Sequence, residues 1–304
     1  MKFIKKMKDV LPVHDLRYLL HTHLHTADPH RGLEHIHASE LTKEDGFCPR
    51  MYCLADLVHS KLPDRWLTTS DNVTFHIGRV LQDSVVTWFA EMGRAVGHWR
   101  CMSCGQVHQF QKRPGKCGCG SRGFRPQEVR FESAVSGASC GIDMLFNNDG
   151  PKLRVVEIKT MAPEQFKELK GPLGEHRQRT TLYLRIVAES TGLWKDLIDT
   201  SVADVLYVSK NGYGVADPQL KAAWGLYEGF SPFKLYRVPR DDALVEKEST
   251  MARAVTRFRA GEAGMPTGIC PTALSKRAQL CPLRAACFSG QYPPQVDWQG
   301  GHET

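Results

Sequence analysis

Cysteine placement constrains this chain more than any other feature. Eight of its 10 cysteines fall into three tight groups: Cys48 with Cys53, then Cys101, Cys104, Cys117 and Cys119, then Cys281 with Cys287. Cys270 lies just upstream of the last group, and Cys140 stands alone. Such close pairs are poor spacings for structural disulfides and good ones for metal ligation, which favours an intracellular, cytoplasmic setting.

In the central group, Cys101-Met-Ser-Cys104-Gly and Cys117-Gly-Cys119-Gly bracket the polar, basic stretch 108–116. Two close pairs facing each other across a loop supply four thiolates to a tetrahedral Zn²⁺. Gly105 and Gly120 permit the tight turns that aim both sulfurs of a knuckle at one ion. The C-x-C half departs from the commoner C-x₂-C. Lys112, Arg113, Lys116, Arg122 and Arg125 make the ribbon basic, so it suits phosphate contact as well as the role of a structural staple in a long insertion.

Composition narrows the rest. At 304 residues, 41% hydrophobic and 24% charged, the chain is neither disordered, collagen-like nor a coiled-coil rod. No stretch reaches the roughly 18 consecutive apolar residues of a membrane helix, so no membrane partner is expected. The opening residues are charged like a signal peptide but lack its apolar run, so export is not expected. A net charge of +7 favours polyanionic partners. Residues 1–45 hold seven of the 13 histidines, including His21, His23 and His25. That run can bind metal, but with no carboxylate or cysteine pattern beside it, it reads as surface or packing histidines.

Periodicity predicts a helix from Thr69 to Met92, with Ser70 or Asp71 as N-cap. Its apolar arc is Ile77, Leu81, Val85, Trp88 and Met92, with Gln82 at the edge. Short β-type runs follow the ribbon at Glu128–Ser133, Gly141–Phe146, Leu153–Thr160, Val202–Ser209 and Phe233–Val238. A helix over Glu175–Glu189 carries Arg179 and Tyr183 four apart on one face, and a last helix covers about Asp242–Ala260. The expected fold class is α/β, with a mixed sheet flanked by helices.

Gly141-Ile142-Asp143 opens one strand, and Asn147-Asn148-Asp149-Gly150 turns the chain into the next, which carries Glu157-Ile158-Lys159. On that second strand Val156 and Ile158 point one way, Glu157 and Lys159 the other. The apolar pair can enter the core while a carboxylate and an ammonium project into a cleft, where Asp143 can join them. Two converging carboxylates suit a hard divalent cation, and a neighbouring lysine can orient water and offset charge on a phosphodiester.

These residues, Gly-Ile-Asp143 followed by Val-Val-Glu157-Ile-Lys159-Thr, resemble the core motif of the PD-(D/E)XK nuclease superfamily in its RecB-like branch, which includes CRISPR-associated RecB-like exonucleases and AddB-type nuclease domains. Phe47-Cys48-Pro-Arg50, Leu206-Tyr-Val-Ser-Lys210-Asn211 and Cys281-Pro-Leu-Arg-Ala-Ala-Cys287 are similar to other elements of that branch. The resemblance implies a restriction-endonuclease-like core over 46–290, with the zinc ribbon inserted at about 98–125, a His-rich segment at 1–45 and a tail at 291–304. It also implies Mg²⁺ or Mn²⁺ at Asp143, Glu157 and the carbonyl of Ile158. Gln82 and Tyr183 would complete the catalytic set with Lys159.

For the remaining cysteines the resemblance implies a 4Fe–4S cluster on Cys48, Cys270, Cys281 and Cys287, stapling the two ends of the domain. Cys270 precedes Cys281 by eleven positions, where the branch usually has C-x₂-C, so Cys53 is a rival fourth ligand and a second zinc a rival metal. Two further departures touch the active site. Gln82 stands where relatives often carry histidine, and Arg179 stands where they often carry glutamine, with Gln178 one position off. The implied function is a deoxyribonuclease, most simply an exonuclease on DNA ends or single strands in repair, recombination or phage or CRISPR DNA processing. Arg177, Gln178, Arg179 and Lys210 are the candidates for gripping nucleic acid, and other repair, recombination or replication proteins are candidate partners. The alternatives are a non-catalytic DNA- or partner-binding scaffold, and an endonuclease or RNase of the same fold.

Overall fold

The run Leu153–Met161 has apolar residues on both faces, as a strand covered on two sides requires. It forms the centre of a mixed α/β structure. The computed structural model describes residues 35–43, 46–58, 68–192, 194–212, 214–216 and 230–289, with residue 20 and the pairs 27–28 and 65–66. The histidine run His21, His23 and His25 and the tail 291–304 lie outside the described residues.

The elements run in chain order as follows. Strands β1 (Ala27–Asp28) and β2 (Ile36–His37) precede helices α1 (Ala38–Leu41) and α2 (Pro49–Leu57). Then come β3 (Arg65–Trp66), the long helix α3 (Thr69–Glu91), β4 (Ala95–Cys101), β5 (Val107–Lys112), β6 (Phe124–Gln127) and β7 (Val129–Glu132). Strands β8 (Ala138–Ile142), β9 (Met144–Phe146) and β10 (Leu153–Met161) lead to helices α4 (Pro163–Glu168) and α5 (Gly174–Glu189). The chain continues with β11 (Ile198–Ser209), β12 (Val215–Ala216), β13 (Phe230–Ser231), β14 (Phe233–Pro239), α6 (Glu246–Arg259), α7 (Lys276–Leu280) and α8 (Arg284–Ser289).

The main sheet has the order β14-β11-β10-β9-β4-β5, with β6 also on β4. Within it β10 and β11 are parallel, so the chain between them must cross over, and α4 and α5 do so. A smaller sheet, β2-β8-β7, stands beside it. Helix α3 covers one face of β10, where Val85 and Val86 pack with Val156 and Ile158. Helix α5 covers the other face, where Leu182, Tyr183 and Ile186 pack with Val155.

Three expectations change. The cap of α3 is Thr68, whose Oγ1 accepts from the Asp71 amide while Asp71 accepts from the Thr68 amide; this is a capping box, so Ser70 falls inside the first turn. The buried flank of α3 runs through Gln82, Val85, Val86 and Phe89, whereas Ile77, Trp88 and Met92 are exposed. The apolar spacing was right for a helix, but the sheet takes a neighbouring flank. Finally, the ribbon is continuous with the main sheet. Strand β4 starts at Ala95, pairs with β9, and ends at Cys101, so Trp99, Cys101, Cys117 and Phe124 share a core with Val156 and Ile158.

Helix α2 meets the C-terminal segment 281–289. Cys48 stands immediately before α2, Leu54 and Ala55 pack on Leu283, and Arg50 Nη2 donates to the Cys287 carbonyl at 3.3 Å. No helix among the described residues is long and apolar enough to cross a membrane.

Candidate active site and metal centres

Strands β8 and β9 are separated by one residue, Asp143, at the bend where the chain passes from the small sheet into the main one. That bend turns its side chain to β10. Asp143 Oδ2 accepts from the Ile158 amide at 2.8 Å, and Oδ1 accepts from Gln82 Nε2 of α3, also at 2.8 Å. Because the N–H and C=O of a strand residue lie on the same edge, the Ile158 carbonyl also faces the Asp143 side.

Glu157, 2% exposed, is ion-paired with Lys159. Burial, and next the negative Glu157, push the Asp143 carboxyl well above the usual carboxylate range. Burial pulls Lys159 down, but Glu157 and Asp143 outweigh it and leave its ammonium harder to deprotonate than usual. Lys159 is therefore a hydrogen-bond donor with a fixed positive charge, neither a base nor an acid. Tyr183 is buried, and burial together with Glu157 and Asp143 holds its phenol protonated.

On α5 the spacing of His176, Arg179 and Tyr183 aims these side chains at one side. Arg179 is near enough to influence Lys159, His176 and Tyr183, and its Nε donates to Thr42 Oγ1 at 3.3 Å. The Leu173 amide donates to Tyr207 Oη, and His176 lies between that hydroxyl (Nδ1, 2.8 Å) and the Glu175 carboxylate (Nε2, 3.3 Å); the carboxylate can only accept, which puts the proton on Nε2 and leaves the hydroxyl to donate to Nδ1. Burial, with Lys159 and Arg179 nearby, brings His176 down to about 3, so it is neutral with its proton on Nε2.

The other expected nucleic-acid contacts go elsewhere. Gln178 donates to Glu248 of α6 at 2.8 Å, and Arg177 lies 3.5 Å from Asp241. Both sit on the flank of α5 that faces away from Asp143, because one residue along a helix is about 100° of rotation. Lys210 follows β11, and its amide donates to the Met161 carbonyl at the end of β10.

Besides Thr42, three residues that sequence reasoning missed join these sites. Glu128 raises the Asp143 carboxyl, and a Cβ at Gly141 would sit 2.4 Å from Glu128 Oε2. The pairing of Val129 with Ile142 puts Glu128 opposite Asp143, but that register is invisible before the strands are paired. Tyr207 bonds His176; the motif Leu206–Asn211 marked its strand, but not the contact with α5. His108 Nε2 lies 3.4 Å from Cys117 Sγ.

In the ribbon, Cys101 Sγ lies 3.6 Å from Cys119 Sγ, Cys104 Sγ lies 3.6 Å from Cys117 Sγ, and all four sulfurs are within 4.8 Å of one another. A tetrahedron with Zn–S of about 2.3 Å has edges near ~3.8 Å, so this group can hold a metal ion of that size. Gly105 and Gly120 have φ of 75° and 91°, the left-handed turns the knuckles need. Backbone N–H groups of the knuckle, that of Cys104 first, lower the Cys101 thiol to about 6.

Cys287 is influenced by Cys48, Cys281 and Cys270 together, and burial with these thiols pushes it up. Cys53 is not among those neighbours; it is fully buried, and burial raises it to about 12. Cys140 lies in the core, and burial pushes it up as well. Among the described residues, the ribbon cysteines form the one group of three or more His, Cys, Asp or Glu that could hold a metal ion, with ligand atoms all within 4.8 Å of one another.

No family model matches the chain, and no curated protein matches it. Among solved structures, an alkaline exonuclease (LHK-Exo) from Laribacter hongkongensis is similar at 12% identity, over 76% of this chain and 90% of that one, with a TM-score of 0.40. LHK-Exo in complex with dAMP gives the same coverage and TM-score at 14% identity. SSO0001 is similar at 14% identity over 95% of both chains, with a TM-score of 0.35.

Proposed function

We propose that this chain is a divalent-metal-dependent nuclease that hydrolyses phosphodiester bonds of DNA, acting as an exonuclease on ends or single strands. The observation that carries the reading is Asp143 held against Ile158, within electrostatic reach of the Glu157–Lys159 pair. Two such carboxylates resist joint ionisation, and a hard cation relieves that cost. Asp143, Glu157 and the carbonyl of Ile158 would hold Mg²⁺ or Mn²⁺. When bound, the ion supplies Lewis acidity, activating a water and neutralising charge on the leaving oxygen.

This chain's own residues do the rest. Lys159, kept as an ammonium, orients the attacking water and offsets charge on the phosphate. Tyr183 offers a hydroxyl proton beside the carboxylates. Arg179, oriented by Thr42, grips a phosphate oxygen, and Lys210 stands at the same end of β10. Arg177 and Gln178, engaged with Asp241 and Glu248, serve the α5–α6 contact first.

The ribbon thiols Cys101, Cys104, Cys117 and Cys119 fit Zn²⁺. Cys48, Cys270, Cys281 and Cys287 would hold a 4Fe–4S cluster, as the resemblance implies, with a second zinc as the rival metal. The grouping of Cys270 with Cys287 favours it over Cys53 as fourth ligand.

The test uses purified protein and its Asp143→Ala variant with end-labelled single- and double-stranded DNA, circular DNA and RNA, with Mg²⁺ or Mn²⁺. Divalent-dependent shortening from DNA ends by the wild type alone is expected. Equal products from both proteins, or none, overturn the reading and leave the scaffold alternative; cleavage of circles or RNA redirects it. An anaerobic preparation should be brown, and two zinc equivalents in a colourless protein contradict the cluster.

A further inference from the structure

We propose that Phe75 is a stacking platform for an unpaired base next to the phosphate bound at Asp143, so that the site takes frayed or single-stranded DNA. The inference rests on the nuclease reading and names the substrate form of that same site.

Phe75, Gly78 and Gln82 are spaced i, i+3, i+7 on α3 and therefore share one face. The lower two positions are fixed to the catalytic strands. Gln82 bonds Asp143 at 2.8 Å, and a Cβ at Gly78 would lie 3.1 Å from Thr160 Oγ1, so the helix runs close against β10 there. Phe75 follows on the same face, one turn N-terminal to Gly78 and so on the far side of Gly78 from Gln82. It is 49% exposed. Toward the other end of this face, Val85 and Val86 are buried by the sheet, whereas Phe75 is half exposed.

Distance and charge suit a nucleic-acid occupant. Seven residues of helix span about 10 Å, so Phe75 stands that far along α3 from Gln82. Stacked bases are spaced about 3.4 Å along a strand, so the platform meets a base within about three nucleotides of the bound phosphate. Around Phe75 the helix carries exposed Arg79 and His76, while its acids are engaged, Asp71 in the cap and Asp83 with Arg125, which favours a polyanion over an acidic or neutral peptide. A ring accepts any base by its π-face, so the platform adds affinity without sequence preference.

The test measures binding of oligonucleotides with 2-aminopurine at each of the last four positions, using full-length Asp143→Asn protein so that the strand is not consumed. Quenching at one or two positions is expected, with its loss in Asp143→Asn/Phe75→Ala and its retention in Asp143→Asn/Phe75→Trp. Affinity should fall about tenfold on loss of the ring, as for a stack worth about 1.4 kcal/mol. An abasic residue at the quenched position should remove that difference. A Phe75→Leu variant keeps the apolar bulk and should behave like alanine, which separates stacking from folding. Equal quenching with and without the ring, or no binding, overturns the inference. Wild-type cleavage without Phe75-dependent quenching sinks the platform alone; quenching without cleavage sinks the nuclease reading alone.

Discussion

Gln82 and Asp143 are joined across 61 residues by a 2.8 Å hydrogen bond in which the amide Nε2 donates to Oδ1. The bond occupies one carboxylate oxygen while the Ile158 amide occupies the other. A glutamine here orients Asp143 but adds only a weak metal ligand, whereas an imidazole at the same place would add a strong one.

Gln82→His should therefore tighten Mn²⁺ binding by about tenfold, or ~1.4 kcal/mol. Calorimetric titration of wild type and variant with Mn²⁺ checks this. An unchanged or weaker affinity would mean that position 82 does not reach the ion.

Acid should destabilise the protein through His176. Its folded value of about 3 lies below the unfolded value of about 6.5. Between those two the unfolded chain binds the extra proton, so stability falls as pH drops from about 6.5 and the loss is complete near the folded value. Urea midpoints of wild type and His176→Gln from pH 7 to 4 should converge toward acid as the wild type loses more. Parallel curves would contradict the buried neutral imidazole.

Cys104→Ser should cost about one zinc per chain by elemental analysis, because a site lacking one of four thiolates no longer holds a structural ion well. Hydrogen exchange should quicken in β5 and β6 and leave β10 and β11 protected. The main sheet also borders the ribbon core through Trp99, so a small drop in melting temperature should accompany it. Full zinc retention would reject the four-cysteine site.

Gly137→Ala should destabilise by about 2 kcal/mol. The position has φ of 65°, where a side chain costs about 1 kcal/mol, and its Cβ would lie 2.5 Å from Thr256 Oγ1. That hydroxyl donates to the Ser136 carbonyl at 2.8 Å, so moving it loses a further bond worth about 1 kcal/mol. Urea unfolding measures the change, and Gly141→Ala is the comparison. There the clash begins with the far end of Glu128, which is free to swing, so a smaller loss is expected.

Much of the site was legible because its parts lie within single elements. Glu157 and Lys159 are two apart on a strand, and the structure pairs them; Asp143 sits one hairpin away, and the turn residues announced the hairpin. The ribbon thiols were legible for the same reason, each knuckle being a few residues long. Glu128, Tyr207 and Thr42 were not, since each acts on a residue that only strand pairing or helix docking brings near.

The limit is plain in helix α3. The sequence by itself determined that residues 69–91 coil into a helix, because apolar spacing is a local property of the chain. It did not determine which flank would be buried. Apolar side chains are available on more than one flank, and the sheet covers the one carrying Gln82, Val85, Val86 and Phe89. The same holds for the terminal cysteines. Their chemistry is written in the chain, but the meeting of Cys48 with Cys270, Cys281 and Cys287 depends on α2 packing against α8. Local spacing sets the direction of a side chain relative to its own element; packing between elements decides what it meets.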